Sequence, residues 1–135
     1  MINVIMGLKG SGKTKKLIDS INATAAEAQG SVVCIEYGSN LRYEVKSSVR
    51  LVSSKEYGIN NLDMLKGFLS GLHAGNYDIT NVYIDNLYKT IGNDRAVGEE
   101  FLLWCAGFAE ANLMDITVTV SDDPTQASTE IKAFL

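Results

Sequence analysis

The segment Gly7-Leu8-Lys9-Gly10-Ser11-Gly12-Lys13-Thr14 stands between an apolar run, Ile2 to Met6, and an amphipathic stretch from Thr14 to Gln29. A near-continuous apolar run of that length suits a central parallel strand covered on both faces. Glycines permit a tight turn and let successive backbone N–H groups point inward without a side chain in the way. The local expectation is a cradle for a polyphosphate, built from Gly7, Lys9, Gly10, Ser11 and Gly12. Lys13 would reach the terminal phosphates and the Thr14 hydroxyl would ligate Mg2+. The first turn of the helix adds unpaired N–H groups and the positive end of its dipole. The competing reading is a plain glycine turn with a solvated lysine. A dinucleotide fingerprint fails, because Lys15 stands where that pattern needs its third glycine.

At 135 residues the chain fits one domain spanning 1–135, and an apolar content of 46% supports a core. Twelve basic against sixteen acidic residues give a net charge of −4, so neither nucleic acid nor an anionic membrane is indicated as a partner. Lys9, Lys13, Lys15 and Lys16 form a local basic group that phosphate contact would explain. Cys34 and Cys105 sit in apolar segments, where thiols pack as small hydrophobes; a disulfide or reactive thiol is the alternative. No signal peptide precedes the glycine segment and no apolar run reaches membrane-spanning length, so a cytoplasmic location is expected.

Further along, Leu17, Ile18, Ile21, Ala25 and Ala28 fall on one helical stripe, with Gly30 as a stop, and Val32 to Tyr37 form a second strand. Val49 to Val52 is a candidate short third strand, and Asn61 to Leu72 a helix with Leu62, Leu65, Phe68, Leu69 and Leu72 inward. His73 is expected just past that helix, as a helix-end or surface residue in preference to a catalytic one. Ile79 to Ile84 is a strand ending at Asp85, where open α/β sheets bind ligands; Asp85 is therefore a candidate Mg2+ ligand, against a cap or turn role. Ala96 to Asn112 reads as a long helix with Phe101, Trp104, Cys105 and Phe108 inward, Trp104 as core instead of a base-stacking platform. Ile116 to Val120 is the last strand, and Asp123-Pro124 opens a terminal helix. The expected architecture is a three-layer α/β fold with a mostly parallel sheet of four or five strands joined by right-handed crossovers.

With these residues in view the chain resembles the P-loop NTPase superfamily, through Gly7 to Thr14 and through Val82-Tyr83-Ile84-Asp85. Within it the pattern is similar to the additional-strand group, which includes RecA-like ATPases and thymidine kinases. Their common feature is a strand between the phosphate-loop strand and the metal-site strand. The resemblance implies ATP or GTP with Mg2+ as ligands, Lys13, Thr14 and Asp85 as site residues, and Ser121 at a position that often touches phosphate or attacking water. A cap role for Ser121 remains open. Arg95 would stabilise developing phosphate charge, or serve as ordinary surface charge. Asn86 departs from the group, many of whose members carry Glu there as a base, and an amide accepts no proton at ordinary pH. Glu99 and Glu100 are nearby in sequence only. The chain also ends at Leu135, without the zinc-bearing lobe of a complete thymidine kinase, and the sheet edge left open makes self-association or a protein partner an expectation.

The leading functional expectation is Mg-dependent binding of a purine nucleoside triphosphate, ATP by default because no Asn-Lys-x-Asp guanine motif occurs, with slow hydrolysis or a regulatory role. The enzyme alternative is phosphoryl transfer to a nucleoside or other small hydroxyl acceptor, as in thymidine kinases. A third is a regulatory protein that keeps the fold without catalysis.

Overall fold

The computed structural model describes residues 1–135. Strands β1 (Ile2–Gly7), β2 (Ser31–Glu36), β3 (Arg50–Ser53), β4 (Ile79–Ile84) and β5 (Asp115–Ser121) form one sheet in the order β1-β5-β4-β2-β3. Every pairing is parallel. Five helices accompany them: α1 (Lys13–Glu27), α2 (Leu62–Gly75), α3 (Leu87–Ile91), α4 (Arg95–Ala111) and α5 (Thr129–Lys132).

The three layers follow from alternation along the strands. Val32 and Cys34 of β2 and Tyr83 of β4 face α1, where Leu17 and Ile21 are fully buried. Val33, Ile35, Val82 and Ile84 face the other way, with Ile116, Val118 and Val120 of β5, against Leu65 and Leu69 of α2 and Phe101, Leu102 and Cys105 of α4. Leu17 and Ile21 lie one helical turn apart, and burying each contributes about 1.5–3 kcal/mol. The Tyr83 hydroxyl pairs with Thr24 Oγ1 at 2.8 Å and Ser20 Oγ at 3.2 Å, so the one polar group at the head of this aromatic side chain is satisfied under α1.

Several expectations are corrected. His73 lies inside α2, which runs on to Gly75, and its ring packs edge-on against Tyr77 and Phe108 at 5.6 and 6.1 Å. Gly30 does not end α1, which stops at Glu27; a Cβ at Gly30 would strike the Asp78 carbonyl, so close strand packing is what requires glycine there. The terminal helix is broken into a 3-10 turn at Pro124–Gln126 and the short α5, although Asp123 caps as expected by accepting from Thr125 N at 2.9 Å. Helix α3 was not anticipated, being too short for a periodic signal. Strand β1 is an edge strand, and the Phe134 carbonyl accepts from Val4 N at 2.9 Å, so the C-terminal segment covers part of that edge. Cys34 and Cys105 are buried free thiols, and burial raises both their pKa values, with the negative charge of Asp85 and Glu36 adding to the effect at Cys34.

Connections use both faces of the sheet. The chain leaves β1 for α1 on one face but leaves β5 for the Ala127 and Ile131 side on the other. It leaves β2 for a loop whose Leu41 and Val49 pack with Leu17 and Ile21 on the α1 face, whereas it leaves β4 for α3, whose Leu87 joins the opposite core. Neighbouring strands β1 and β5, and neighbouring strands β4 and β2, therefore send their connections to opposite faces. Such divergence opens crevices at the carboxyl ends of the strands.

Candidate functional site

The loop from Leu8 to Gly12 turns through two left-handed glycines, Gly10 at φ 85° and Gly12 at φ 83°, a region costly for a side chain bearing Cβ. At Gly7, a Cβ would come within 2.5 Å of Ser11 Oγ, so the loop folds back closely over this glycine and a side chain here would displace Ser11. Gly12 serves as the N-cap of α1 and provides no side-chain oxygen to the first turn, which also contains no acidic residue. Helices α2 and α4 are capped by Asn61 and Asp94 in the ordinary way. The start of α1 thus keeps its N–H donors and the positive end of its dipole for something outside the chain.

Above this loop lies a cavity of about 370 Å³ whose ten lining residues are all polar or glycine. Lys9, Gly10, Gly12, Lys13 and Thr14 line it from one side and Asp85 and Ser121 from the others. Lys15, from the basic group expected beside phosphate, also lines it, and so does Thr119, which was not expected from sequence as a site residue. Lys13 is largely buried, and its ammonium donates to the Leu8 carbonyl at 3.0 Å, arched over the loop. Gly7 and Ser11 shape the loop from beneath without lining the cavity.

Asp85 meets the loop across the crevice. The Thr14 hydroxyl lies 3.3 Å from Asp85 Oδ1 and 3.4 Å from Oδ2, joining residues 71 apart in sequence. Thr119 Oγ1 donates to Asp85 Oδ1 at 2.7 Å and accepts from Asn86 N at 2.6 Å. A hydroxyl has one proton, so accepting from Asn86 commits that proton to Asp85 and fixes the carboxylate's orientation. The signal for Thr119 was available: in Ile116-Thr117-Val118-Thr119-Val120 the hydroxyls alternate onto the α1 face, toward the loop. Ser121 pairs in register with Gly7, which brings it beside the loop's first residue.

Arg95 lies outside this cavity. Its guanidinium donates to Asp122 through Nη2 at 2.7 Å and Nε at 2.9 Å, and the Tyr88 hydroxyl donates to the same carboxylate at 2.7 Å. This triad ties α3, the start of α4 and the end of β5 together, and it occupies the charge expected at the phosphates. Glu99 accepts from Ser128 N at 2.9 Å and Glu100 lies 3.9 Å from Lys66, so neither is at the cavity.

Hydrogen bonding from Arg95, and then from Tyr88, holds Asp122 well below the usual carboxylate range, against the opposing effect of burial. A group depressed on folding stabilises the fold above its unfolded pKa of about 3.9, and that contribution fades as pH falls from there toward the folded value. The urea midpoint of the wild type should therefore drop between about pH 5 and pH 2 more steeply than that of Asp122→Asn, which carries no charge to lose. Equal acid limbs for the two proteins would refute this assignment.

Chemically, the arrangement combines free backbone donors, three lysines and one carboxylate–hydroxyl pair, a set that accepts a multiply charged oxyanion together with a hard cation. No protein-family model matches the chain, and no curated protein matches it significantly.

Proposed function

We propose that the protein binds a nucleoside triphosphate, ATP by preference, with Mg2+, and that it belongs to the additional-strand group of P-loop NTPases that its sequence resembles. The observation that carries this reading is the meeting of Thr14 and Asp85 at 3.3 Å over a cavity rimmed by Lys9, Lys13 and the uncapped start of α1. Support for the group comes from β5, which lies between β1 and β4.

The donor set fits Mg2+. Thr14 and Asp85 supply one hydroxyl and one carboxylate oxygen, and no cage of three or more acidic, His or Cys ligands is present, as suits an ion that takes its remaining ligands from phosphate and water. When bound, Mg2+ would neutralise charge on the phosphates. The chain's own residues do the rest: loop amides and Lys13 hold phosphate oxygens, and Thr119 keeps Asp85 aimed at Thr14. Binding with slow hydrolysis or a regulatory output is the primary reading, since Asn86 offers no base beside Asp85. Phosphoryl transfer is the second, favoured by a further crevice that adjoins Asp85 and Asn86.

Titration with ATP and GTP, with and without Mg2+, tests the reading directly. Replacing Lys13 by Ala should weaken binding by about ten- to a hundredfold, the worth of a charge-assisted contact of about 1.5–3 kcal/mol. Equal binding by both proteins would show that Lys13 does not hold phosphate.

A further inference from the structure

The divergence of connections at β4 and β2 creates a second crevice, separate from the one at β1 and β5. It is a cavity of about 80 Å³ lined by Glu36, Tyr37 and Asn40 from the end of β2 and by Asn86 and Lys89 after β4. Asp85 and Asn86 line both this cavity and the larger one, so the two adjoin at the carboxylate. A third cavity of about 180 Å³, lined by Arg42, Ser53 and Glu56, shares Glu36 and Gly38 with it.

The lining carries both signs of charge: Lys89 and Arg42 stand with Glu36 and Asp85, and Glu56 adds a carboxylate in the third cavity. Lys89 and Arg42 form no ion pair, and the side-chain amides of Asn40 and Asn86 form no hydrogen bond within the chain. Glu36, the carboxylate at the centre, is already committed: its two oxygens accept from Asn40 N at 2.8 Å and Leu41 N at 3.2 Å and hold the loop in shape. Lys89 and the two side-chain amides are thus free to meet a ligand, whereas Glu36 is turned to a structural task and Arg42 stacks on the Tyr43 ring at 4.9 Å. Asn86 is itself held in the left-handed region, at φ 58°, by the Thr119 bond to its N–H, an arrangement that keeps it at the junction of the two cavities.

We propose that this second crevice seats a phosphoryl acceptor whose nucleophilic atom is already an anionic oxygen, that of a phosphate monoester or a carboxylate. The inference rests on ATP occupying the first cavity. An oxygen of the acceptor attacks the γ-phosphorus, the bond from that phosphorus to the β–γ bridging oxygen breaks, and ADP departs with the electron pair. No proton leaves the nucleophile. An amide at Asn86 is then sufficient, where a neutral hydroxyl acceptor would need a base beside Asp85. Lys89 and Arg42 offset the acceptor's charge and hold it in line.

The experiment incubates the intact protein with Mg2+ and γ-labelled ATP in three arms: nucleoside monophosphates, simple carboxylates with hydroxylamine to trap acyl phosphate, and uncharged nucleosides. ATP binding is measured in parallel on the same preparation. Label is expected in the monophosphate or the carboxylate arm, and whichever carries it identifies the source of the oxyanion. Lys89→Ala should raise the acceptor KM by about tenfold or more while leaving the ATP dissociation constant unchanged. ATP binding accompanied by label only in the nucleoside arm, or only in free phosphate, overturns the acceptor class and leaves the nucleotide reading standing. Failure to bind ATP removes the reading beneath it. A Lys89→Ala variant with unaltered acceptor KM overturns the assignment of the crevice.

Discussion

Replacing Asp85 by Asn should uncouple nucleotide binding from Mg2+. The asparagine carbonyl can still accept from Thr119, whose hydroxyl donates to Asp85 Oδ1 at 2.7 Å, so the local fold should survive. What disappears is the only carboxylate within reach of Thr14. In ATP titrations at stepped Mg2+ concentrations, the cation's enhancement of binding should fall by about ten- to a hundredfold. Binding in the absence of Mg2+ should stay equal or strengthen, because a negative charge facing the phosphates has gone. Thr119→Val, which removes one hydroxyl and little volume, should give the same change at smaller amplitude, since Asp85 keeps its charge but loses its orientation. An unaltered Mg2+ response in Asp85→Asn would exclude this residue as the cation's ligand.

Phe101→Ala should produce the largest loss of stability among single substitutions distant from the cavity. Phe101 is fully buried between the sheet and α4, in the cluster containing Leu65, Val118 and Ile131, with its ring stacked on Trp104 at 6.1 Å. Truncating it leaves a cavity that rigid strands on one side cannot fill, a change worth about 3–5 kcal/mol. The denaturant midpoint should fall at nearly constant slope, while ATP affinity of the remaining folded protein stays at the wild-type value. A loss below about 1 kcal/mol would mean that the core collapses around the gap.

These outcomes bear on how much was readable in advance. Strand and helix positions followed from apolar spacing wherever the segments were long, as with Leu17 and Ile21 of α1 or Phe101 and Cys105 of α4. Where segments were short, local signals misled: Pro124 opened a single 3-10 turn, and α3 escaped notice. Lys13, Thr14 and Asp85 stood out as candidates by residue type, and the fold brings all three to one cavity. Thr119 was passed over because a threonine in a strand reads as β-propensity until its neighbour across the sheet is known. Arg95 was left between phosphate charge and surface charge, since nothing local showed that Asp122, 27 residues on, would hold it.

The sequence alone determined the glycine loop, the strand before it, the helix after it and the alternation that buries each strand, because these depend on backbone freedom and on the 3.6- and 2-residue periods of neighbouring side chains. Tertiary structure decided the strand order, and with it the approach of Asp85 to Thr14, the grip of Thr119 on that carboxylate and the opening of a second crevice between β4 and β2. Those contacts join residues 34 to 71 positions apart, and only the packing of helices onto both faces of one sheet sets their distance.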